Sequence, residues 1–165
     1  MPPAHPAWAA LLSGLLAAAC AHDLRARRIP NGLVGATLGA GLVHAAATNP
    51  SPASAVATAL LGVLVGLAAW LPLYGLGMLG AGDVKLFAAA AAWLGPRGVW
   101  PASVYAALAG AVLAAGWLAH GWQTRRRFAV ATSAGARAER RPDRRLPYGL
   151  AIAAGVLAVT WGVGR

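Results

Sequence analysis

The chain has 165 residues, enough for one domain, and 59% of them are hydrophobic while only 11% are charged, against roughly 25% charged in soluble globular proteins. That balance excludes an ordinary water-soluble domain built round an aqueous-facing core. The net charge of +10 does not indicate a nucleic-acid partner either, because the basic residues flank apolar runs instead of spreading over a polar face.

Six apolar runs follow one another, at residues 7–21, 33–47, 56–79, 84–94, 103–119 and 147–163. They predict an all-α membrane protein, a single domain over 1–165 with about six transmembrane helices. The first run holds the only cysteine, Cys20. With no second thiol it forms no internal disulfide, and it reads as a small buried hydrophobe. No basic residue precedes this run, so neither a secretory nor a lipoprotein signal is expected.

Arg25, Arg27 and Arg28 follow the first run and predict a cytoplasmic loop, hence an N-terminus outside. The second run ends in a turn-rich stretch at 48–54 (TNPSPAS). The third is long enough to hold a break at Pro72, and Gly75, Gly77, Gly80 and Gly82 follow it. The fourth is short for a span, and a loop at 95–101 (GPRGVWP) separates it from the fifth.

Arginine decides the count. A basic loop at about 121–146 carries Arg125, Arg126, Arg127, Arg137, Arg140, Arg141, Arg144 and Arg145. Only if the fourth run spans do both arginine blocks lie inside, which puts twelve of the fourteen basic residues in the cytoplasm and leaves Arg97 and Arg165 outside. The loop itself reads as a solvated topogenic segment near anionic lipid.

Four acidic residues occur: Asp23, Asp83, Glu139 and Asp143. Glu139 and Asp143 lie among arginines, where water and ion pairing satisfy them. Asp23 and Asp83 each sit where an apolar run meets the cytoplasm, on the same face at similar depth. Singly, Asp83 could cap the fourth helix and Asp23 could pair with Arg27. Together, two carboxylates sharing a proton can act as general base and general acid upon a water, the chemistry of aspartic proteolysis. It requires no metal or cofactor. Helix ends suggest the roles: Asp23 at a helix C-terminus is disfavoured as an anion and Asp83 at an N-terminus is favoured, so Asp83 is expected to be the base and Asp23 the acid. His22 adjoins Asp23 but points about 100° away around a helix, and reads as interfacial. His5, His44 and His120 show no ligand spacing.

These residues resemble the prepilin peptidase family, among the GxGD-type membrane aspartic proteases. Asp23 with Ile29-Pro30-Asn31 is similar to its first motif. Gly80-Ala81-Gly82-Asp83-Val84-Lys85-Leu86 is similar to its second, including Lys85, and Pro147-Tyr148-Gly149 resembles a Pro-x-Gly element that opens the last run. The resemblance implies that Asp23 and Asp83 are catalytic and that Gly80, Gly82, Lys85, Ile29, Pro30, Asn31, Pro147 and Gly149 support them. It implies a substrate prepilin, a membrane-inserted apolar helix with a short basic leader cut after a glycine, and a place in the bacterial inner membrane. Larger members also carry a segment with paired cysteines and methylate the new N-terminus. With its lone cysteine this chain resembles the small peptidase-only branch of tight-adherence (Flp-type) pilus systems. The rival readings are a membrane scaffold, which needs neither aspartate, and an ion-coupled carrier, which favours midplane charges and internal repeats not seen here.

Overall fold

The computed structural model describes residues 6–26, 28–129 and 148–162, which form five helices. These are α1 (Pro6–Ala26), α2 (Asn31–Thr48), α3 (Pro52–Gly75), α4 (Ala81–Ala129) and α5 (Gly149–Thr160). All are drawn from the apolar runs, and no strand occurs among the described residues.

α4 is not one rod. At Gly95 the backbone takes φ 63° and ψ 176°, a conformation that is essentially glycine-only, and the helix breaks there into arms of residues 81–94 and 96–129. Trp70 of α3 stacks on Phe87 at a centroid separation of 4.1 Å and donates its indole N–H to Ser103 Oγ at 3.1 Å. In a straight helix those two partners, eight residues either side of Gly95, would lie about 24 Å apart, beyond any one side chain. The arms therefore fold back on each other, and the described chain comprises six helical rods. The loop expected over 95–101 contracts to one residue. Pro96 opens the second arm, where its missing N–H has no helical partner to lose.

The first arm is the central rod. Leu86, Phe87 and the run Ala88–Ala92 are all buried, with α2, α3 and α5 packed against α4. Small residues allow this closeness. A Cβ at Gly62 would stand 2.6 Å from the Ala91 carbonyl oxygen, and one at Gly155 would stand 2.5 Å from the Ala102 oxygen and the Ala106 nitrogen. The shortest run of the sequence thus lies inside the bundle, where protein and not lipid surrounds it. The outside is apolar instead: Leu64 is 61% exposed, Val112 72% and Leu118 73%. Such a surface suits lipid and not water. α1 and α3 are each long and apolar enough to cross a membrane, and so by length and composition is the stretch Ala81–Gly116, which is divided between the two arms of α4.

Two other boundaries differ from expectation. Pro72 does not break α3, which runs on to Gly75; the carbonyl of Pro72 still accepts the N–H of Leu76 at 3.0 Å. So close to a helix end, proline removes one bond at small cost. Unwinding instead falls at 76–80, where Gly77 has φ 72°. The helix also continues through 121–129, the start of the expected loop, since Gln123 and Arg125–Arg127 are good helix formers. The rest of that loop, 130–146, lies outside the described residues.

Candidate active site

The site is built from three chain segments that converge at one end of the bundle. Asp23 lies in the last turn of α1, three residues before its end at Ala26. Asp83 lies in the first turn of α4, just after the glycine-rich turn. Gly149 begins α5. The glycine turn hands the chain from α3 to α4 in five residues, 76–80, and so fixes where Asp83 emerges.

Each carboxylate accepts a main-chain N–H at a helix start. Asp83 Oδ2 accepts the N–H of Gly80 at 3.1 Å, the reach-back half of a capping box, so the cap expected of Asp83 exists with the aspartate inside the first turn. Asp23 Oδ2 accepts the N–H of Gly149 at 3.3 Å, across 126 residues of sequence. The charge of Asp23 reaches Asp83. The helix-end asymmetry expected from sequence is therefore absent. Asp23 stands at the C-terminus of α1 but also at the N-terminus of α5, and helix dipoles do not assign the two roles.

Of the supporting residues, Ile29 and Gly82 meet. A Cβ at Gly82 would stand 3.4 Å from Ile29 Cβ, so the half-buried Ile29 lies directly on the backbone beside Asp83. Pro30 caps α2, its carbonyl accepting the N–H groups of Leu33 at 3.0 Å and Val34 at 3.3 Å. Asn31, the first residue of α2, is exposed, and so is Lys85. Neither bonds a carboxylate among the described residues. His22 is exposed at the edge of α1, and Cys20 is buried. Pro147 lies outside the described residues, as does Arg27, the alternative partner for Asp23.

Sequence reasoning missed an aromatic stack behind the site. Trp70, stacked on Phe87, meets Tyr148 edge-on at 6.2 Å. Phe87 is one turn beyond Asp83, and Tyr148 directly precedes Gly149, so Trp70 bridges α4, which carries Asp83, and the start of α5, whose first N–H holds Asp23. A Cβ at Gly110 would stand 2.5 Å from the Tyr148 hydroxyl oxygen, so the phenol lies flush against the second arm of α4. The aromatic residues stand in the sequence, but nothing in their spacing links Trp70 to Tyr148.

A sequence model of the type IV leader peptidase family matches residues 10–115, a stretch that contains both aspartates and the glycine turn. No curated protein and no solved structure matches the chain significantly.

Proposed function

The chain belongs to the type IV leader peptidase family, and on that premise we propose that it is a membrane-embedded aspartic endopeptidase that removes the leader of Flp-type prepilins at the cytoplasmic face of the bacterial inner membrane. One observation carries the reading: Asp23 and Asp83 are each held by a main-chain N–H at a helix start, and the charge of Asp23 reaches Asp83. In this mechanism one carboxylate takes a proton from a water as the water oxygen attacks the scissile carbonyl carbon. The other gives its proton to the carbonyl oxygen and then, as the C–N bond breaks, a proton passes to the leaving nitrogen. No nucleophilic side chain is required.

The proposed topology has six spans with the N-terminus outside. It is supported by the six rods and by the arginine distribution, which clusters beside the aspartate end of α1 and at and beyond the end of the second arm of α4. Asp23 and Asp83 then face the cytoplasm, where the basic leader of a prepilin enters. The unwound turn at 76–80 supports the same reading, since a glycine-rich main chain beside Asp83 lets an extended peptide approach closely. Co-expression with an Flp-type prepilin, with mass spectrometry to locate the cut, tests the proposal. Cleavage after the glycine that precedes the apolar helix is the expected result. A prepilin left at full length in membranes containing the inserted chain contradicts it.

A further inference from the structure

One residue along the chain from each glycine that holds an aspartate, at Leu79 and Tyr148, runs the wall of a groove that the mechanism above does not use. It has a volume of about 290 Å³, and its walls include Trp70, Met78, Leu79, Trp100, Ala107 and Tyr148. The end of α3, the glycine turn and the second arm of α4 enclose it, and it is open along one side. Its lining is almost wholly apolar.

The groove is continuous with the carboxylates through the main chain at two points. Leu79 directly precedes Gly80, whose N–H holds Asp83. Tyr148 directly precedes Gly149, whose N–H holds Asp23, and the phenol lies within reach of Asp83's charge. Size narrows the occupant. A helix is about 10–12 Å across with its side chains, too wide to enter a groove of this volume whole, whereas a single large apolar side chain fits. Met78 is 67% exposed on the unwound turn and Trp100 66% exposed on the second arm, which leaves the outer rim accessible. The back wall is fixed, because Trp70 is buried, stacked on Phe87 and bonded to Ser103.

We propose that this groove is the specificity subsite for an apolar side chain of the polypeptide being cut, at a position flanking the scissile bond. The proposal rests on the peptidase reading. The bound side chain lies against Trp70 and Tyr148, and its main chain passes over the glycine turn toward the aspartates.

The full chain in lipid nanodiscs is assayed on membrane-inserted leader-bearing polypeptides in which one residue flanking the cut is Ala, Leu or Phe, each flanking position in turn. At one position the large apolar residues are expected to raise kcat/KM by about tenfold or more over Ala, the scale on which a hydrophobic pocket discriminates side chains. Ala107→Phe, which builds bulk from an exposed small residue into the groove, is expected to reduce that preference to within about twofold. Met78→Ala enlarges the groove from an exposed turn that no core packing depends on, and is expected to shift preference from Leu toward Phe. Leu64→Phe, on an outer face of α3, keeps the wild-type pattern. Wild-type preference in both groove variants overturns the subsite. So does a uniform response of all substrates to lipid acyl length in wild type with no change in preference between variants, which assigns the groove to lipid. If the wild type cuts no substrate, the peptidase reading fails and the subsite falls with it.

Discussion

Asp23 Oδ2 accepts the N–H of Gly149 at 3.3 Å, and a Cβ placed on Gly149 would stand 3.1 Å from that same oxygen. The glycine therefore does two things for the carboxylate: it supplies a donor, and it has no side chain to push the carboxylate away. Buried at the first position of α5, Gly149 ties the end of α1 to the start of the last helix.

Gly149→Ala is expected to lower prepilin cleavage by about tenfold to a hundredfold, the scale on which small misplacements of catalytic groups act. Alanine is the better helix former by up to about 1 kcal/mol, so lost helix stability does not account for the loss. Gly116→Ala, where a Cβ meets nothing within 4 Å, should cleave as wild type. Initial rates on one substrate in the same membranes compare the three proteins.

Gly95→Ala is expected to destabilise the protein by about 1–3 kcal/mol, because φ 63° with ψ 176° is open in practice only to glycine. The reversal between the arms of α4 concentrates in that residue. Thermal unfolding in detergent should show a lowered midpoint for Gly95→Ala and an equal or raised one for Gly14→Ala, whose Cβ would meet nothing within 4 Å in the middle of α1.

How far the sequence exposed this architecture depends on the range of the interactions. The rods follow from the apolar runs, and the glycine turn from Gly75, Gly77 and Gly80, because both are local. The pairing of Ile29 with Gly82 and of Asp23 with Gly149 was legible only as three motifs resembling those of one family. Nothing in the composition of 149–160 places its first N–H on a carboxylate 126 residues away. For that reason the sequence around Asp23 shows the dipole of α1 and not that of α5, which also acts on the carboxylate. The reversal at Gly95 was expected over seven residues, since proline at 96 and 101 reads as a loop when the tight turn of the preceding glycine is unknown. The stack of Trp70, Phe87 and Tyr148 is wholly tertiary and left no mark on spacing.

Trp70→Ala removes the ring that joins Phe87 to Tyr148 and is expected to destabilise the bundle by about 3–5 kcal/mol, as truncations of large buried aromatics do. Trp70→Phe keeps the stack and loses the bond to Ser103, for about 0.5–1.5 kcal/mol. Detergent unfolding midpoints should fall in that order.

Topology is checked separately from chemistry. A phosphatase fused after Arg127 is expected to be inactive, because the basic segment it enters is read as cytoplasmic. High phosphatase activity there would place the segment outside and invert the bundle.

The central claim is that Asp23 and Asp83 act as one catalytic pair. Its most direct test is prepilin cleavage by Asp23→Asn and Asp83→Asn, each in membranes where insertion of the variant has been verified. Asparagine preserves size and can still accept the N–H bonds from Gly149 and Gly80, but it cannot exchange a proton with water as a carboxylate does. The account predicts that either substitution alone abolishes cleavage while the inserted protein accumulates normally. Cleavage near the wild-type rate by either variant would contradict it.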